Sequence, residues 1–214
     1  MTPIDPEVLY KGTYVNSTYG EGIRVGFEKI ISLDPFASDN IGRVQRIKDF
    51  FKLCLVRGSV LDVGSGLCVF LWEMKKEGWN CTAIDPDKEA VKHAVDRVGI
   101  KAYCGNFTDL GDIGHYQLIT FNKVLEHVAD PVKMLVKASK HLLPEFSAVY
   151  IEVPDGEMAS KEGQNRQEFF IEHLHVFSMA STALMAQEAG FHVKQMERLR
   201  EPSGKYTIRA FLSL

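Results

Sequence analysis

The stretch that most restricts how this chain folds runs from Gly58 to Trp72 and reads GSVLDVGSGLCVFLW. Val60, Leu61 and Val63 form a short apolar run without polar alternation, which marks a strand covered on both faces. Gly64-Ser65-Gly66 then turns the chain tightly. Leu67 to Lys76 continues as a helix whose Val69, Phe70 and Met74 are spaced to pack inward. A glycine turn between strand and helix lets a ligand approach the backbone and meet the amides at the helix N-terminus. Such a turn, at the carboxyl end of a central strand, is where open α/β sheets hold nucleotide-type ligands.

The turn reads Asp62-x-Gly64-x-Gly66, and Val69 stands where a dinucleotide fingerprint carries its third glycine or alanine. That departure weakens a pyrophosphate-binding reading. An acid inside the strand, two residues before the first glycine, suits a cationic ligand group better than a phosphate. The next strand, Trp79 to Asp85, also ends in an acid. Asp85 follows Gly66 by about twenty residues, the offset at which a carboxylate accepts both hydroxyls of a ribose. Asp85-Pro86-Asp87 equally starts a helix, with Asp87 capping Lys88 to Val98. Both roles are compatible.

Other elements follow from the same signals. Residues 1–40 are irregular, with prolines, glycines and the recurring aromatics Tyr10, Tyr14, Tyr19 and Phe27, and read as a cap over the site. Asn40 caps a helix from Ile41 to Val56, on which Arg43 or Arg46 is placed to meet a ligand carboxylate. Ile100–Cys104, Tyr116–Asn122 and Ala148–Val153 read as further strands. Asp130-Pro131 opens a helix as N-cap and first position. A polar lid covers 155–177, Ser178 caps a last helix, and Phe191–Leu199 with Tyr206–Leu214 forms an antiparallel hairpin. Five strand-helix units and a hairpin make a seven-stranded α/β sheet.

The size fits one domain, because 214 residues bury a single sizeable core. Apolar content of 45% is too high for a disordered chain, and a net charge of −3 removes any bulk attraction to nucleic acid. No apolar run is long enough to span a bilayer, and the first residues lack a signal-peptide pattern. Cys54, Cys68, Cys81 and Cys104 lack paired spacing and read as reduced, small hydrophobes, not a zinc site. These features lead us to expect a cytoplasmic enzyme, monomeric or homodimeric, whose partner is a small molecule.

The glycine turn, Asp85 and the segment Leu125-Glu126-His127-Val128 followed by Asp130-Pro131 resemble the class I S-adenosylmethionine-dependent methyltransferases. The last segment is similar to that of small-molecule enzymes, including the ubiquinone-biosynthesis O-methyltransferases. Glu172-His173-Leu174-His175-Val176-Phe177-Ser178 resembles methyltransferases encoded among sugar and surface-polysaccharide genes. The resemblance covers residues from about 45 to 199. It implies a Rossmann-like, mostly parallel seven-stranded sheet with helices on both faces, spanning 41–214 after a cap segment at 1–40. It also implies S-adenosylmethionine as cofactor and S-adenosylhomocysteine as product. Asp62, Gly64, Ser65 and Gly66 then face its methionine end, Asp85 and Pro86 its ribose, and Asn106 and Phe107 its adenine. Asn122 borders it at the end of the fourth strand, and Tyr14 and Tyr19 reach it from the cap. In one respect the chain departs from those O-methyltransferases: they carry a glutamate three residues before the Glu-His pair, where this chain has Lys123, so no metal is expected.

Methyl transfer from a sulfonium is an in-line displacement, so the protein mainly aligns the reactants and excludes water. A protonated nucleophile gains from a base, and His127, just beyond the fourth strand, is the first candidate. His173 and His175 share one face if their segment is extended, and they are candidates for substrate binding or proton transfer. The expected reaction is methylation of a small acceptor, on a hydroxyl of a sugar or quinone-like compound. Two rivals remain. An NAD(P)-linked oxidoreductase shares the sheet and Asp85 but lacks the third glycine and a Tyr-x-x-x-Lys pair. The other is a non-catalytic nucleotide-binding scaffold.

Overall fold

The computed structural model describes residues 22–52 and 58–214. Tyr14, Tyr19 and the first half of the expected cap lie outside the described residues. Five strands run parallel: β1 (Ser59–Val63), β2 (Asn80–Asp85), β3 (Lys101–Cys104), β4 (Leu118–Asn122) and β5 (Ala148–Pro154). The hairpin of β6 (His192–Arg200) and β7 (Tyr206–Ser213) completes the sheet, β7 lying antiparallel between β5 and β6. The resulting order is β3-β2-β1-β4-β5-β7-β6. Chain direction across the sheet reverses between β1 and β4, which opens a crevice at their carboxyl ends.

Helices cover both faces because the strands are apolar on both. Against Val60 lie Phe27 of α1 (Ile23–Ile31), Val44 and Ile47 of α2 (Asp39–Phe50), and Phe70 and Met74 of α3 (Val69–Lys76). Beyond β2, α4 (Lys88–His93) runs into one turn of π-helix, Ala94–Val98, which Gly99 ends at φ 68°. The opposite core joins Leu61 and Val63 to Leu135 of α5 (Pro131–Ser139) and to Met185 and Ala186 of α7 (Met179–Glu188). A one-turn α6 (Gly156–Ala159) follows β5. Among the described residues no helix is long and apolar enough to cross a membrane.

Several caps stand where the residue types place them. Asp87 accepts from the Glu89 amide at 2.9 Å, and Asp130 from that of Lys133 at 2.8 Å with Pro131 at the first position. Ser178 and Ser181 form a reciprocal capping box. The start of α2 differs from expectation. Ser38 is its cap, and the Asn40 side chain instead accepts from Arg43 Nη1 at 2.7 Å. Residues 22–40 are not irregular either, because α1 buries Phe27 fully against Trp72 and His93, at centroid distances of 5.7 and 4.8 Å.

Below the crevice runs a buried ionic chain. Arg43 Nη2 lies 2.5 Å from Glu152 Oε2, Arg209 Nε lies 2.9 Å from Glu152 Oε1, and Arg209 Nη2 reaches Glu201 Oε2 at 2.5 Å. Tyr150 donates its hydroxyl to Glu152 Oε1 at 2.6 Å. Arg43 is therefore committed to β5 and Arg46 to Glu197, so neither takes the ligand-facing role expected of one of them. Burial alone would raise the Glu152 carboxyl, but Arg43, Arg209 and Lys123 hold it down at about 2. Truncation to Glu152→Ala leaves two buried guanidinium groups without their shared acceptor. We expect it to cost about 3–5 kcal/mol in urea denaturation; a loss below about 1 kcal/mol would contradict the chain's role. Because the folded value lies below the unfolded one, this stabilisation holds at neutral pH and is lost as pH falls through the acid range toward 2. The wild type should unfold more steeply there than Glu152→Gln.

Candidate active site

The turn after β1 is seated on the end of β2. The amides of Gly64 and Ser65 both donate to the Ile84 carbonyl, at 2.8 and 3.2 Å. Gly64 and Gly66 take φ of 72° and 48°, and Cys68 follows at 56° in the same left-handed region. A Cβ on Gly64 would stand 2.6 Å from Val124 Cγ2, so only glycine fits there. Ser65 is buried at the bend, and its hydroxyl has no hydrogen-bond partner among the described residues.

Asp62 and Asp85 flank this turn from adjacent strands. Asp62 Oδ1 accepts from the Thr120 hydroxyl at 2.6 Å and from Asn122 Nδ2 at 2.8 Å, both on β4. Burial pushes its carboxyl up to about 7, against those two bonds and the Arg43 charge. Asn122 thus faces Asp62 across the β1–β4 crevice, and its Oδ1 has no hydrogen-bond partner among the described residues. Asp85 Oδ2 accepts from the Gly66 amide at 2.8 Å and Oδ1 from the Asp87 amide at 2.9 Å. Each carboxylate oxygen keeps a second lone pair, so a pair of ribose hydroxyls fits this acceptor. Burial raises the Asp85 pKa, and the two amides oppose that rise.

The loop after β3 divides. Asn106 is exposed, and its amide donates to Asp109 Oδ2 at 3.2 Å, leaving its carbonyl oxygen to accept. Phe107 is only 2% exposed and packs edge-on to Phe121 at 5.9 Å, with the Lys137 ammonium over its other side. It is a core residue and does not cover an adenine face. The apolar wall of Ile113, Tyr116 and Phe121 captures it, and neighbouring Asn106 is left outside.

On the other side of β4, a cleft of about 390 Å³ is lined by Lys123, Glu126, His127, His173, Lys205 and Tyr206 among others. Lys123 bends the chain at φ 59° while its amide donates to the Glu152 carbonyl at 2.9 Å. A 3₁₀ turn, Leu125–His127, follows directly. The lid is tied down to it, since the amides of Leu174 and His175 reach the Glu126 carbonyl at 2.7 and 3.3 Å. His127 Nδ1 lies 3.1 Å from the Glu172 carbonyl, and His173 Nδ1 lies 2.9 Å from that of Glu168. A carbonyl only accepts, so each Nδ1 carries a proton, and in the neutral form of His127 the lone pair lies on Nε2. Burial lowers the His127 pKa, which favours that neutral form. The two rings meet edge to face at 4.8 Å.

His175 does not join them. Its segment is a series of turns, not an extended strand, so alternate residues diverge, and Nε2 of His175 donates to the Val128 carbonyl at 2.9 Å. Glu126 takes the place the sequence assigned to His175. It is 1% exposed, its Oε2 has no hydrogen-bond partner among the described residues, and burial pushes its carboxyl up to about 8. Glu126, His127 and His173 bring one nitrogen or carboxylate oxygen each to within 4.8 Å of one another. Lys205 was also missed, because no local pattern marks it; the hairpin alone brings it to the cleft. A single glutamate resonance should titrate near pH 8 in ¹³C spectra. Its folded value is raised, so the group is compatible with folding below the unfolded pKa and costs stability as pH rises through 8. Glu126→Gln should therefore be more stable than wild type above that pH, and equal stability would remove the assignment.

The chain matches the model of a methyltransferase domain over residues 36–196. No curated protein matches it. Among solved structures, magnesium protoporphyrin IX methyltransferase from Synechocystis PCC 6803, with S-adenosylhomocysteine bound, superposes at TM-score 0.71 and 14% identity. That match covers 97% of this chain and 99% of the other. The 1,6-didemethyltoxoflavin-N1-methyltransferase of Burkholderia thailandensis, with its acceptor and S-adenosylhomocysteine, also gives 0.71, at 16% identity over 100% and 93% of the two chains. The glycopeptide N-methyltransferase MtfA gives 0.64 at 13% identity, over 85% and 92%. With the glycine turn, the switch-point crevice and a family match spanning more than half its length, this chain belongs to the methyltransferase-domain family.

Proposed function

We propose that this enzyme transfers a methyl group from S-adenosylmethionine to a small-molecule acceptor, on a hydroxyl of a sugar or quinone-like compound. The observation that carries the cofactor assignment is Asp85, held by the Gly66 amide so that its remaining lone pairs meet a ribose above the glycine turn. Gly64, Ser65, Gly66 and Asp62 hold the methionine end, Pro86 and Asn106 flank the nucleoside, and Asn122 lies beneath them. The bound sulfonium supplies an already activated methyl group. What the chain adds is alignment, exclusion of water and a proton acceptor.

His127 is that acceptor. Its Nε2 lone pair and the hydrogen bond of its Nδ1 to the lid set both tautomer and orientation. His173 stands against its ring and orders the same wall. We read the reaction as metal-independent, although Glu126, His127 and His173 lie close enough to share an ion. Lys123 and Lys205 line the same cleft, and their ammonium charges oppose a dication beside Glu126. The lid at 155–177 and the segment before residue 41 choose the acceptor. The fold neighbours support that division: on one shared sheet they are named for a magnesium protoporphyrin, a didemethyltoxoflavin and a glycopeptide.

S-adenosylhomocysteine should raise the melting temperature and NADH should not; the reverse would move the chain to the oxidoreductase reading. Asp85→Ala should weaken S-adenosylhomocysteine by about 1.5–3 kcal/mol, roughly ten- to a hundredfold. His127→Ala should lower kcat by roughly 10²–10⁴ with little change in KM. Full turnover in that variant would remove His127 as the base, and turnover abolished by a chelator would restore a metal.

A further inference from the structure

The cleft that holds His127 has an unusual balance of charge. Glu126 and Glu172 apart, the acids beside and beneath it are engaged. Glu168 accepts from Arg166 Nε and Nη2 at 3.0 and 2.7 Å and from the Tyr206 amide at 2.8 Å. Glu152 and Glu201, beneath the cleft, are taken by Arg43 and Arg209. The field of Glu172 acts on His127. Glu126 is buried beside His127.

Two cations are left over. Lys123 and Lys205 both line the cleft, and neither has an ion-pair partner among the described residues. Each repels the other: burial lowers the Lys123 pKa, and the Lys205 charge lowers it further against the pull of Glu152. Two ammonium groups and the buried Oε2 of Glu126, which has no hydrogen-bond partner among the described residues, line one space. An ammonium drawn out of water gains from an anionic partner.

We infer that the acceptor carries an anionic group, a carboxylate or a phosphate, seated between the ammonium groups of Lys123 and Lys205. This rests on the methyltransfer reading of the same cleft and deepens it. The anion anchors one end of the acceptor, and the nucleophile is presented toward His127. Charge-assisted bonds to two lysines are strong enough to discriminate an anionic acceptor from its neutral amide or ester.

The probe is inorganic phosphate, titrated at constant ionic strength into lysine-¹³C-labelled protein saturated with S-adenosylhomocysteine. The ε-methylene resonances of Lys123 and Lys205 should shift saturably. Lys123→Gln and Lys205→Gln should each weaken phosphate by roughly tenfold or more, while the exposed-site control Lys133→Gln leaves it unchanged. Absence of a saturable shift, or equal weakening in the control, overturns the site. Melting temperatures verify folding; should Lys123→Gln fail to fold, Lys205→Gln decides alone. Stabilisation by S-adenosylhomocysteine without phosphate binding keeps the methyltransferase reading and removes the anion site. Phosphate binding without that stabilisation keeps the site and overturns the methyltransfer reading.

Discussion

Glu152 holds its negative charge where water does not reach, and three elements are organised by that charge. Arg43 comes to it from α2, Arg209 from β7, and Tyr150 from its own strand two residues back. Taking these groups out of water is costly, and the cost is offset only when every partner is present in good geometry. The chain of charges therefore fixes where the last antiparallel strand sits against β5. It also sets the floor of both halves of the crevice, since the Glu152 carbonyl anchors Lys123 at the bend after β4. One buried carboxylate thus connects the packing of the sheet to the position of the turn that carries His127.

The two halves of the crevice follow different physics. On the cofactor side the chain presents backbone amides, glycines in the left-handed region, and two carboxylates whose orientation is set by short bonds to neighbouring strands. Those features are local, so any ligand there meets a nearly rigid surface. The other side is made from pieces far apart in sequence: a 3₁₀ turn after β4, a lid of turns, and the tip of the β6–β7 hairpin. Its ionisable groups tune one another. Glu126 is lifted toward neutrality by burial, His127 is kept neutral, and Lys123 is lowered by burial and by Lys205.

That contrast explains which residues were readable in advance. Gly64, Gly66 and Asp85 stand out because a tight turn and a strand-end acid leave a signature over a few residues, and caps such as Asp130 and Ser178 do the same. Phe107 misled because a phenylalanine in a loop has the same local pattern whether it faces a ligand or the core, and only the wall formed by Phe121 and Tyr116 decides. His173 and His175 were paired on the assumption of an extended segment. The lid instead turns, so one ring enters the cleft and the other binds a backbone carbonyl. Asn40 and Ser38 compete for one cap, and Arg43 settles the matter by claiming the Asn40 side chain.

By itself the sequence determined the parallel α/β sheet, the glycine turn, the acid at the end of β2 and the terminal hairpin, because apolar periodicity and turn chemistry act over neighbouring residues. Tertiary structure alone decided that Glu126 would be buried, that Arg43 would serve Glu152, and that Lys205 would line the same cleft as Lys123. Burial and electrostatic coupling depend on what surrounds a group in space, and residues 123, 126, 173 and 205 become neighbours only once the sheet has closed around them.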